Sequence, residues 1–154
     1  MPVLANDALH EDYIALFPEV PPRISAAVKY LQDREINEIY LIGHSLGASM
    51  GAYYLSNKNT SLNGFISIGL STGIKDTAMD NLAHLSEISV PMLDLYGTED
   101  LENIVEFAQE RRDAANPGIP YRQIAADGAD HFFDGEESQL LEHVIDWIKN
   151  NHSN

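Results

Sequence analysis

Cysteine is absent from the 154 residues. No disulfide, thiolate nucleophile or zinc-thiolate site is therefore available, and cysteine usage carries no mark of redox compartment. Basic residues are scarce: 9 Lys and Arg stand against 24 Asp and Glu, for a formal net charge of −15. Such a balance disfavours nucleic acid and anionic membrane surfaces as partners, and strongly anionic substrates with them; the simplest reading of the acidity is solubility. No apolar run approaches the roughly 18 residues of a membrane-spanning helix. The N-terminus lacks the basic-then-apolar pattern of a secretory signal, so a cytoplasmic location is the default expectation. No Walker-type phosphate loop and no acid or histidine spacing suited to a metal occurs, and neither cofactor nor metal is expected. Internal repeats and low-complexity linkers are missing too.

What is present is a core-forming composition, 44% hydrophobic, in a chain of single-domain size. A chain of this length buries about 68–70% of its unfolded surface. Strand-like and helix-like stretches alternate. A helix is expected from Pro22 to about Arg34, with Ile24, Val28 and Leu31 on one face. Strands are expected at Glu38–Ile42, Gly64–Leu70, Pro91–Tyr96 and Tyr121–Ala125, and helices at Leu46–Ser56, Asn103–Ala114 and Glu136–Asn150. Lys75–Ser86 reads as loop with some helix, and residues 1–22 as irregular apart from a short helix near Glu11–Phe17. Alternation of this kind implies a three-layer α/β sandwich around a mainly parallel sheet, one domain over 1–154.

Residues 43–47 read Gly-His-Ser-Leu-Gly between the first strand and the next helix. By composition alone, G-x-S-x-G arises at roughly one position in three thousand, so its weight comes from the strand–turn–helix setting. The turn must be tight, and glycines on either side of the serine remove Cβ atoms expected to collide there. Ser45 is the candidate nucleophile, and the Leu46 N–H at the helix start is a candidate oxyanion donor. A serine hydroxyl is a poor nucleophile unless an imidazole takes its proton and a carboxylate orients that imidazole. Two later strand ends supply such groups, Gly97-Thr98-Glu99-Asp100 and Asp127-Gly128-Ala129-Asp130-His131. In a parallel sheet these ends share one rim with Ser45. Glu99 and Asp76 compete with Asp100 for the acid; Asp130 and Asp94 are less suited. His10, His84, His143 and His152 read as ordinary polar or helix-surface positions. His44, the variable residue of the turn, is assigned to substrate contact or to no role at all.

In this order, GHSLG, LYGTED and GADHFF resemble the α/β-hydrolase superfamily over roughly residues 20 to 150. The resemblance implies Ser45 as nucleophile, Asp100 as acid and His131 as general base. It also implies a truncation, because the family's sheet has eight strands with the nucleophile after the fifth, and only about forty residues precede Ser45. The fold expected is therefore an α/β-hydrolase fold lacking its first strands, either a fragment or a minimal hydrolase. Met1–Ala5 could be the tail of the fourth strand. The strand before Ser45 should become a sheet edge, covered by a second copy in a homodimer or larger assembly. The second oxyanion donor, from the loop after the third strand, is missing unless Asn6 or its neighbours substitute. Loss of one donor costs about 10²–10³ in rate, so modest activity follows.

The function expected is hydrolysis of small carboxylic esters, with short acyl chains favoured. Ile74, Met79, Leu82 and Leu85 are candidates for the acyl site, against the plainer reading that they pack a helix on the sheet. The competing class is a catalytically silent hydrolase scaffold that serves binding or assembly.

Overall fold

The computed structural model describes residues 10–57, 60–75 and 78–151. Met1–Ala5, Asn6, Asp76 and His152 therefore lie outside the described residues. A short helix, α1 (His10–Ile14), and a 3-10 turn (Phe17–Glu19) lead into α2 (Val20–Gln32). The described part of the segment expected to be irregular is thus mostly helical turns. Helix α2 begins two residues earlier than the sequence suggested, because Pro21 and Pro22 fall in its first turn, where no intrahelical N–H donor is required.

Beyond it come β1 (Tyr40–His44), α3 (Leu46–Ser56), β2 (Gly64–Ile68), α4 (Asn81–Glu87) and β3 (Met92–Gly97). The chain closes with α5 (Glu102–Val105), α6 (Ala108–Ala114), β4 (Tyr121–Ala126) and α7 (Glu137–Asn151). The four strands form one sheet in the order β1-β2-β3-β4, with every neighbouring pair parallel.

Alternation along the strands divides the core. Phe65 and Met92 face one side, where Ile24, Val28 and Leu31 of α2, Ala48, Ala52 and Leu55 of α3 and Leu85 of α4 pack on them. Ile66, Ile68, Leu93 and Leu95 face the other, where α7 lays down Leu140, Val144, Trp147 and Ile148. Helices on both faces make the three-layer sandwich; of the apolar α7 residues, Leu140, Val144 and Ile148 pack on the core, whereas Leu141 and Ile145 do not. Trp147 meets Tyr40 edge to face with centroids 6.0 Å apart. A Cβ at Gly64 would fall 2.6 Å from the Trp147 ring, so this residue must be glycine for α7 to sit so close.

The single helix expected over Asn103–Ala114 is broken at Glu106-Phe107. The cause is Arg111. Its guanidinium is fully buried and donates from Nη1 to the Ile104 carbonyl at 2.6 Å, the oxygen a continuous helix would offer to the Ala108 N–H. Its Nε donates to Asp94 Oδ2 at 2.8 Å. Tyr121 Oη and Gln123 Nε2 donate to the same oxygen at 2.7 and 2.9 Å. Asp94, an unlikely site acid from its mid-strand position, is thus the centre of a buried ion-pair network. Burial, and then the Asp94 charge, push the Tyr121 phenol far above its ordinary range.

Among the described residues, β1 pairs only with β2 and lies at the edge of the sheet. Its Ile42, pointing to the side that α7 covers, is 52% exposed, and Leu141 and Ile145 of α7 are exposed as well. Among the described residues, no helix is long and apolar enough to cross a membrane.

Candidate functional site

Parallel strands bring their carboxyl ends to one rim, and each site residue follows the end of a strand. Ser45 comes directly after β1. Its N–H donates to the Ile68 carbonyl at 2.8 Å, so the turn is still tied to β2 as the chain reverses. Its backbone stands at φ 55°, ψ −123°, a conformation outside the regions a side-chain-bearing residue ordinarily occupies. A Cβ on Gly43 would lie 2.5 Å from the Gly47 carbonyl oxygen and 2.8 Å from the Ala48 Cα, so glycine is obligatory there. Gly47 differs from the expectation: a Cβ there meets nothing within 4 Å. The steric demand of the turn falls on the first glycine, because the strand runs under the helix start at that point.

Asp100 follows β3 and is buried. Gly97 permits this approach, since a Cβ at that position would sit 1.9 Å from the Ala129 carbonyl oxygen, where the His131 loop crosses the strand end. Asp100 Oδ1 accepts the Leu101 N–H at 2.7 Å and lies 2.6 Å from His131 Nδ1. On the far side of the ring, Nε2 is 3.0 Å from Ser45 Oγ. Ser45, His131 and Asp100 therefore form one continuous hydrogen-bonded chain. The carboxylate can only accept, so Nδ1 carries the proton and Nε2 is left to accept from the serine. Asp100 Oδ2 has no hydrogen-bond partner among the described residues.

The loop carrying His131 is held by its own first residue. Asp130 Oδ1 accepts the N–H groups of Phe132 at 2.8 Å and Asp134 at 3.1 Å. The Asp134 and Phe132 amides hold the Asp130 carboxyl below its ordinary value. Phe133 stands at φ 57° and is buried in the core under α7.

The competing residues are placed elsewhere. Glu99 is exposed, its N–H spent on the Ala129 carbonyl. His84, expected on a helix surface, is instead buried, with Nδ1 3.0 Å from Ser56 Oγ and Nε2 3.1 Å from the Ala78 carbonyl. Of the four acyl-site candidates, Met79 and Leu85 are wholly in the core. Ile74 and Leu82 line a cleft of about 530 Å³ with Phe107, Lys75 and Glu110. Leu46 occupies the first position of α3, where no residue of the helix can accept its N–H. Among the described residues, no three metal-ligating side chains cluster.

Gly69 was not read from the sequence as bearing on the site, and His44 was read only as a substrate contact or as idle. Gly69, just after β2, stands at φ 60°, and a Cβ there would lie 3.0 Å from His131 Cε1 and 3.3 Å from Asp100 Oδ2. A glycine at the end of a buried strand was the available signal. His44 places Nε2 2.8 Å from the His131 carbonyl oxygen, a contact that spacing could not reveal.

Residues 12–150 match a family described as protein of unknown function, DUF3530. No curated protein matches the chain. Solved structures do. An α/β serine hydrolase homologue from Coxiella burnetii shares 20% identity at a TM-score of 0.64, covering 82% of this chain and 56% of its own. An esterase domain from a Rhodothermus marinus protein shares 18% at 0.58, covering 75% and 61%. Est1E from Butyrivibrio proteoclasticus shares 14% at 0.68, covering 85% and 69%. These likenesses establish an α/β-hydrolase fold. The chain spans only about three fifths of the length of the first two, as a partial fold would.

Proposed function

The chain belongs to the DUF3530 family, and we propose that it is a serine hydrolase that cleaves small carboxylic esters through an acyl-enzyme on Ser45. The observation that carries this reading is the unbroken chain Ser45 Oγ–His131–Asp100, at 3.0 and 2.6 Å, ending on a serine in a strained backbone. His131 Nε2 takes the hydroxyl proton as Ser45 Oγ attacks the acyl carbon. The resulting imidazolium is stabilised by buried Asp100, and the oxyanion is met by the Leu46 N–H. His131 then returns the proton to the leaving alcohol. In the second half it activates water, which releases the acid and restores the hydroxyl. Short acyl groups are favoured by the absence of a long insertion between β2 and β3.

The fold shared with a serine hydrolase homologue and an esterase domain supports the reaction class. A silent scaffold is the second reading, favoured by the chain's spanning only part of those proteins. A fluorophosphonate probe decides between them. Labelling of the folded protein that disappears in Ser45→Ala and weakens strongly in His131→Ala is the expected result. A folded protein that never labels points to the scaffold.

A further inference from the structure

The residue before the nucleophile makes its closest contact with the base. His44 is the last residue of β1, and its Nε2 lies 2.8 Å from the main-chain oxygen of His131. The two imidazoles lie with centroids 4.8 Å apart at 40°, and the Phe132 ring flanks both, at 6.0 Å from His44 and 5.2 Å from His131. A carbonyl oxygen only accepts, so His44 carries its proton on Nε2 and donates it.

We propose that His44 is a positioning residue: its Nε2–H holds the His131 main chain against the end of β1 and so sets the imidazole in line with Ser45. The inference rests on the serine-hydrolase reading above. The 130–134 loop has other supports, but they act differently. The Asp130 bonds close the loop on itself, and Phe133 anchors it under α7. Phe132 is 70% exposed, and its ring reaches β1 only through the His44 ring itself. Neither support refers the loop to the strand that bears the nucleophile. The His44 bond does so, from the residue adjacent to Ser45, so a shift of β1 carries donor and nucleophile together. That matters because, among the described residues, β1 has a neighbour strand on one side only. Proton transfer needs the imidazole within hydrogen-bond reach of Oγ, and an error near 1 Å costs about 10²-fold in rate.

The experiment compares His44→Phe, which keeps a ring without a donor, with His44→Gln, which keeps an N–H donor. Hydrolysis of p-nitrophenyl acetate gives kcat and KM. Proton NMR follows the His131 Nδ1–H, held short against Asp100. In His44→Phe, kcat should fall about 10- to 100-fold with KM nearly unchanged, and the Nδ1–H signal should shift or broaden. In His44→Gln most of both should return. A rise in KM at constant kcat would assign His44 to substrate instead and overturn the proposal. Equal behaviour of Phe and Gln variants would overturn it as well. Failure of the hydrolase reading shows separately, as a wild type that neither turns over nor labels; the NMR signal then still reports whether His44 orders His131.

Discussion

At the scale of single residues, the site depends as much on missing atoms as on functional groups. Gly43, Gly69 and Gly97 each stand where a Cβ would strike the turn, the imidazole or the crossing loop. Gly69 is the most direct test, because its left-handed φ and its closeness to His131 act together. Gly69→Ala should destabilise the fold by about 1–3 kcal/mol through backbone strain. It should also slow fluorophosphonate labelling well beyond what the remaining folded fraction explains. Urea melts and labelling rates, measured side by side, separate the two effects. The three polar residues brought into contact were legible in the sequence, because each follows an apolar run and parallel strands end on one rim. Gly69 and the His44 contact were not, since both depend on how loops from different strands meet.

At the scale of elements, Arg111 and Asp94 decide how α5 and α6 sit. A buried ion pair contributes little relative to an apolar replacement, and less still here because Arg111 Nη2 has no partner among the described residues, but loss of one member strands a charge. Arg111→Met alone should cost about 3–5 kcal/mol in a urea melt, whereas adding Asp94→Leu should recover part of that loss, the remainder reflecting the acceptor withdrawn from Tyr121 and Gln123. Full additivity of the two changes would show that the pair is not coupled. The same network explains why one expected helix is two. Helix periodicity reads the apolar face of residues 103–114, but it carries no trace of a guanidinium that takes the Ile104 carbonyl for itself. Strand positions fared better, each lying within two residues of its expected start; β2 and β3 are buried, mostly apolar runs bounded by turn residues.

At the scale of the molecule, β1 is the sheet edge among the described residues and leaves Ile42 half exposed; Leu141 and Ile145 of α7 are exposed as well. We propose that a second copy covers this edge. Light scattering should give a dimer or larger species at micromolar concentration. Two chains of net charge −15 repel, so added salt should shift the balance toward assembly. A monomer unmoved by salt would sink the idea.

The order of nucleophile, acid and histidine, the alternation of strands and helices, and the strong acidity are properties of the chain read in one dimension. From them the sandwich and the meeting of three strand ends follow, because parallel connections leave little choice of topology. Where His44 points, why Gly47 is unconstrained while Gly43 is not, and which carboxylate is spent on Arg111 were decided only when separate strands came together. Those outcomes turn on distances of a few tenths of an ångström between loops far apart in the chain, which no spacing along the sequence encodes.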